Sequence, residues 1–375
     1  MPKKWKSFFS CFLVLPLLFS VRVGKQYLLP RSQNIEKLEM IRVVGVDQEE
    51  DGIHLTLAAS GEQKEDVQDN FLIEGKGSTF YEAVEDAQKT ANKTLFWGHA
   101  DILVLGKEAL GENISKYIDF LARDSKTRLS MKVLVVKNSS AKELLGRKGN
   151  ADQEIFEGLS EQLRNLRDLS YAAEVKMSDL IESAGNARSS FLVPAAETVG
   201  DENYEITGAA AVRGGNMVRF LDERESRAAN LVRGDFFRSM DILNTDLLGR
   251  ISVEADDSKA RTHFSPTANG AKARVDISIT GTLAEQFVAP GYDASRFDQG
   301  TMQAVGAMWA AKLKEEITAL AKDDQVNGND LLGLREKLYR YHPKLYERVA
   351  NGGELQTEFS VVVNMEHVHM LNKEI

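Results

Sequence analysis

The sequence predicts a multi-domain α+β / α/β protein, with mixed β-sheets flanked by helices and a C-terminal domain built as an antiparallel sheet with a long packed helix. Three observations predict it. The run Ala100 to Gly106 is short, apolar and rich in β-branched residues, which suits a strand buried on both faces and covered by helices on each side. Residues 39–146 read in the order hairpin, helix, strand, helix, strand, helix, which is an α/β order with crossover connections. Farther on, Val275, Ile277 and Ile279 alternate with Asp276, Ser278 and Thr280, the pattern of a strand with one buried face and one wet face.

Composition limits the function classes. The 375 residues allow about two to three domains, and 43% hydrophobic content is enough for real cores. With 47 basic and 56 acidic side chains the formal charge is −9, which argues against nucleic acid as a partner, because phosphate binding needs a basic footprint. The single cysteine, Cys11, permits no intramolecular disulfide and no thiolate metal cluster.

Residues 1–26 read as a signal or membrane anchor: Lys3, Lys4 and Lys6 precede the apolar run from Phe8 to Val23, in which only Arg22 is charged. Counted from Trp5, the segment of about 16 to 19 residues lies between a signal-peptide core and a minimal spanning helix. A cleaved signal and a retained anchor both fit. The lack of a small-x-small cleavage site favours retention, with the lysines inside and the bulk of the chain outside. Tyr27 to Asn34 is a polar tether.

The N-terminal α/β region spans 34–200, with a possible subdomain break near 150. Glu39 to Asp47 and Gly52 to Ser60 read as a hairpin. Its acidic turn, with Asp47, Glu49, Glu50 and Asp51, lacks the ligand spacing of a calcium loop and reads as solvated. Gly61 to Asp69 is charged and reads as a surface loop. The IEGKGS segment that follows is not a phosphate loop, because the upstream glycine is missing and no Ser or Thr directly follows Lys76. Thr79 and Glu82 form a capping box for a helix over Ser78 to Thr94, with Phe80, Ala83, Val84 and Ala87 on its apolar face. Trp97, His99 and Asp101 stand at the start of the next strand. A His–Asp pair suggests catalysis, but no nucleophile completes it, so a packed structural corner is the better reading. Ile114, Tyr117, Ile118 and Leu121 mark a helix on which Asp119, Arg123, Asp124 and Arg128 recur at spacings of four or five, as surface ion pairs do. Met131 to Val136 is a buried strand, and Ser140 with Glu143 opens a short helix.

Ile155, Leu159, Leu163 and Leu166 form a helical stripe, and a second runs from Val175 to Ile181. Gly185 to Pro194 reads as a loop placing Phe191 and Leu192 between domains. The C-terminal α+β domain spans 204–375 and opens with a hairpin turning at Gly214-Gly215. Helical spacing resumes at Glu223 to Val232, and the Arg233-Gly234-Asp235 tripeptide is better explained by a helix-ending glycine than by adhesion. Strand patterns dominate Arg250 to Phe287. Asp298 to Ala321 is the longest helix, its stripe formed by Val305, Met308, Trp309, Leu313, Ile317 and Leu320, with Asp323 and Asp324 closing it. Short helices follow at Leu331 to Tyr341 and from Pro343, and a strand from Leu355 closes the chain. His367 and His369 share one side of that strand but lack a third metal ligand.

The segments 34–47, 94–136, 141–146 and 208–234, with the C-terminal LYRYHPKLYERVANGGELQTEFSVVVNMEHV, resemble in order the C subunits of bacterial spore germinant receptors, the Ger(x)C family. The resemblance implies a non-catalytic, cofactor-free subunit of a nutrient receptor. Its partners would be the polytopic A and B membrane subunits, on the outer face of the bacterial cytoplasmic or spore inner membrane. It makes Trp97, His99, Asp101, Asp119, Arg123, Asp124 and Arg128 a candidate docking and structural signature, with no catalytic, cofactor or metal residues. One departure matters. The family resembles lipoproteins, yet no cysteine stands near Leu29, and Cys11 lies too early in the apolar run to be the lipidated residue. A retained N-terminal helix would anchor more firmly than one acyl chain. An exported solute-binding or envelope-scaffold protein is the alternative.

Overall fold

The computed structural model describes residues 35–64, 67–147, 155–168, 170–236, 238–246, 248–287 and 298–368. The N-terminal segment with Cys11, the tether, the possible break near 150 and His369 therefore lie outside the described residues. Residues 39–375 cluster as one unit.

The first sheet begins with β1 (Leu38–Glu49) and β2 (Gly52–Lys64), the antiparallel hairpin that the alternation predicts, and β3 (Val67–Gly77) continues the meander. The segment expected as a charged loop is thus largely strand. Its polar residues tolerate this because β3 is an edge strand of the sheet. Helix α1 (Phe80–Thr90) starts at Thr79, whose side chain accepts from Glu82 N at 3.2 Å, while Glu82 reaches back to Ser78 N at 2.9 Å rather than to Thr79. After β4 (Thr94–Phe96), which pairs with β1, come β5 (Ile102–Leu105), α2 (Ser115–Arg123) and β6 (Lys132–Val136). Next are α3 (Ala141–Leu145), α4 (Ile155–Arg164), α5 (Met177–Ala184) and β7 (Phe191–Val199). Strands β1, β5, β6 and β7 run parallel.

All four residues of β5 are buried, as its unbroken apolar run predicts. Val44, Val46, Leu103 and Leu105 pack with α1, α2 and α5 on one face. Val43, Ile102, Val104 and Leu134 pack with α3 and α4 on the other. Each such side chain taken fully from water contributes roughly 1.5–3 kcal/mol.

The segment from Phe191 is not an interdomain loop but the start of β7. Pro194 is accommodated at a register break in the β7–β8 pair, the place where a sheet tolerates proline. Strands β8 (Asn203–Arg213) and β9 (Asn216–Leu221) form the expected hairpin, turning through Gly214 and Gly215, both at positive φ. They extend the first sheet, which runs in the order β3-β2-β1-β5-β6-β7-β8-β9.

Helix α6 (Glu223–Arg233) opens on an Asp222–Glu225 capping box and ends at left-handed Gly234, which accounts for the Arg-Gly-Asp tripeptide. The second sheet is β10 (Ser239–Thr245), β11 (Gly249–Thr267), β12 (Gly270–Phe287) and β13 (Glu354–Val368). It is antiparallel through β12. Its last strand runs parallel to β12, because the connection passes through α7 (Gln299–Asn327), α8 (Leu334–Tyr341) and α9 (Pro343–Ala350). Ala273, Val275, Ile277 and Ile279 of β12 are buried beneath Val305, Trp309, Leu313 and Ile317 of α7. Two details of α7 depart from the sequence reading. It runs past Asp323 and Asp324 to a left-handed Gly328, and Met308 is 42% exposed, outside the buried stripe.

Candidate functional site

The stretch that carries the candidate residues begins with a turn in which Ala100 N donates to Trp97 O at 2.9 Å. Trp97 is buried in the first core, and His99 is exposed with its ring 6.0 Å from that of Phe96. Asp101, half-buried before β5, accepts from Arg42 Nη2 at 2.9 Å and from Arg128 Nη1 at 3.2 Å. Its backbone N–H donates to Arg42 O and its carbonyl accepts from Lys132 N. Asp101 therefore ties β1, β5 and the approach to β6 together, while His99 sits against an aromatic ring. His99 and Asp101 thus engage separate partners. With the ion pairs 34–51% exposed, each link contributes at most about 1 kcal/mol.

Asp119, Arg123 and Asp124 form a second group on α2. Arg123 Nε donates to both Asp119 oxygens at 2.9 Å, and this hydrogen bond holds the Asp119 carboxyl below the usual carboxylate range. Asp124 ends the helix, its Oδ1 accepting from Lys126 N at 2.9 Å. The sequence reading missed the aromatic groove beside them. Phe80 stacks on Phe120 with centroids 5.3 Å apart, and Tyr81, 59% exposed, leans on Phe120 at 5.8 Å. Together with Lys116, Asp119, Arg123 and Asp124 they line a groove of about 460 Å³. The signal was present in the Phe-Tyr pair opening α1, of which only Phe80 has the spacing of the core.

At the opposite, carboxyl ends of the parallel strands lies the crevice where open α/β sheets take ligands. Here it is filled. Asp47 is not part of a solvated turn: it is buried near the end of β1, its Oδ1 accepting from Ala141 N at 2.7 Å and its Oδ2 from Lys142 N at 2.9 Å. Burial pushes this carboxyl up, against the pull of the two amides. Gly106, at the end of β5, makes room for it, since a Cβ there would stand 1.8 Å from Asp47 Oδ1. A phosphate entering at this point would meet a carboxylate already holding the helix amides.

Beside Asp47, His54 is buried with Nδ1 2.9 Å from Glu49 Oε1 and Nε2 3.0 Å from Glu74 Oε2. Lys76 pairs with Glu49 at 2.5 Å and Lys142 with Glu74 at 2.7 Å, and these bonds hold both glutamates low. Every charged member of this cluster is thus engaged by another. Sequence reasoning missed it, because the five residues meet only through the β1–β2–β3 register and the start of α3. No group of three or more His, Cys, Asp or Glu able to hold a metal occurs among the described residues, and His367 lies on β13 without a described His369.

Two family models match the chain. One, described as the spore germination protein N-terminal domain, covers residues 31–198, and the other, described as spore germination B3/GerAC like, C-terminal, covers 207–369. The chain belongs to the GerAC-like spore germination protein family. No curated protein matches it. Among solved structures it is similar to the crystal structure of the GerBC protein, with a TM-score of 0.56 and 14% identity over 87% of this chain and 97% of that one, a likeness of fold. In this GerAC-like chain the junction between the two models falls at the β7–β8 turn, and the first sheet runs through it. No described helix of the GerAC-like chain is long and apolar enough to cross a membrane.

Proposed function

We propose that this GerAC-like protein is the non-catalytic C subunit of a nutrient germinant receptor, assembling with polytopic A and B membrane subunits to trigger spore germination. The observation that carries this reading is family membership across both halves of the chain. The geometry agrees with binding rather than turnover: His99 and Asp101 hold separate partners, Asp47 fills the ligand crevice, and His54 is enclosed by lysine-paired glutamates. Residues 1–26 hold the protein to the outer face of the cytoplasmic or spore inner membrane. Its working units are 34–200 and 204–375, the sheet of the first being completed by β8 and β9 of the second.

The docking surface is the α1–α2 groove, where an exposed tyrosine over stacked phenylalanines is rimmed by Lys116, Asp119, Arg123 and Asp124. An aromatic anchor inside a charged rim is the anatomy of a protein interface. Any switching role requires that the partners grip this surface with different strength in their resting and triggered states. The test is deletion of the gene, followed by germination on several nutrients and co-purification of membrane partners with the restored protein. Loss of nutrient germination with two membrane proteins recovered is the expected result. Normal germination on every nutrient, with no partner recovered, would sink the proposal.

A further inference from the structure

Strand β13 has β12 on one side and, among the described residues, no strand on the other. Six successive residues of it, 361–366, line one cleft with Met302, Gln303, Ala307 and Ala310 of α7. Successive side chains of a strand point to opposite faces, so a cleft lined by six in a row opens on the strand's edge, where the backbone N–H and C=O groups have no strand to pair with among the described residues. The cleft measures about 650 Å³, and Val362 beside it is 51% exposed.

Its chemistry is one-sided. In a chain with 27% charged residues, the lining carries a single charge, Glu366, at one end. The wall opposite is uncharged: Met302 and Ala310 of α7 are buried toward the core, and Gln299, Gln303 and Ala307 complete it. Helix and strand are held at a fixed separation, because Gly306 lets the helix backbone approach so closely that a Cβ would lie 2.5 Å from Val363 O.

We propose that this cleft is a strand-addition site. An extended segment of a partner polypeptide, uncharged and apolar at alternate positions, pairs with the free edge of β13 and lays its apolar side chains on the Ala307 face of α7. Unpaired backbone groups call for a backbone ladder, and alternate side chains then give specificity. No basic residue lines the cleft among the described residues, so a carboxylate buried there would lack a counter-charge and an acidic segment is disfavoured. The six edge residues accommodate roughly 20 Å of strand. This inference does not depend on the germinant-receptor reading, since it concerns the other sheet and a different kind of contact.

The test titrates the full chain in detergent with a labelled, acetylated and amidated heptapeptide alternating Thr and Val, read by fluorescence anisotropy and by hydrogen exchange at 361–366. Saturable binding that slows exchange there is expected. Ala307→Glu, at an exposed helical position and with an unchanged melting temperature as control, should weaken binding at least tenfold. N-methylation of one alternate set of peptide amides should abolish binding, and methylation of the other set should not. No binding, indifference to Ala307→Glu, or equal sensitivity to both methylated sets would overturn the proposal. So would binding that appears only once residues 369–375 are removed, which would assign the cleft to the chain's own tail, or a dimer that protects 361–366, which would assign it to a second copy.

Discussion

Replacing Asp241 by alanine should destabilise the protein by about 3–4 kcal/mol. Asp241 lies on β10, 6% exposed, and accepts from Trp309 Nε1 at 2.8 Å, from Arg227 Nη1 at 3.0 Å and from Lys312 Nζ. The three donors lose this partner unequally. Lys312, 34% exposed, turns to solvent at little cost, and Arg227 keeps Glu316 at 2.5 Å. Trp309 is fully buried, and an orphaned buried N–H costs about 1–3 kcal/mol. The half-compensated Arg227 adds the rest, since breaking a buried ion pair costs about 3–5 kcal/mol when nothing replaces it. Asp241→Asn, which keeps an acceptor for Trp309, should cost about half as much. Urea unfolding followed by tryptophan fluorescence measures both. A loss below about 1 kcal/mol for Asp241→Ala, no greater than a surface ion pair supplies, would refute the reasoning.

Gly106→Ala should cost about 2–4 kcal/mol in the same assay, because the new methyl evicts Asp47 from the start of α3 and adds overpacking to a lost cap. Asp324 gives a pH prediction. Burial raises its pKa from 3.8 to about 6, so the folded state holds the proton more tightly, and this group's contribution to stability falls as pH rises from about 4 through 6. The stability of Asp324→Asn relative to the parent should therefore climb by up to about 3 kcal/mol between pH 4 and pH 7; a flat difference would contradict the assignment. Tyr81→Ala should change stability by less than about 1 kcal/mol, since the ring is 59% exposed, yet should reduce recovery of membrane partners in co-purification.

What was legible in the sequence is what local pattern encodes. The unbroken run of β5, the alternation of β12, the Ser140 cap and the Gly214-Gly215 turn are each decided within a few residues, and each stands in the structure as read. The misreadings share a different cause. Asp47 looked like one acid of a solvated turn because its partners, the amides of Ala141 and Lys142, lie 94 and 95 residues away. Met308 has core spacing, but across the uncharged turns from Met302 to Ala311 spacing does not say which face meets the sheet. The charge of 61–69 hid the β2–β3 pairing, because an edge ladder is held by backbone and needs no apolar stripe. At the candidate site the groove was not legible, since it exists only where α1 meets α2.

The junction between the two family models is not a hinge. Eight residue pairs join β7 to β8 across the turn at Gly200, so bending there would break a ladder in the body of the sheet. A second tie lies at the loop after α7. Arg233 of α6 donates to Leu331 O at 2.8 Å and to Ser190 O at 2.5 Å, Ser190 Oγ donates to Asn329 O at 2.6 Å, and Arg213 of β8 donates to Gly328 O. Arg233 is half-buried, and these bonds hold its guanidinium on the carbonyls of Leu331 and Ser190 at once. The core of the second sheet also reaches into the first through Leu192, Ala209, Ala211 and Leu221. Load applied at the α1–α2 groove or at the β13 edge is therefore carried by one body. A pull on either surface would displace the whole described unit rather than open it.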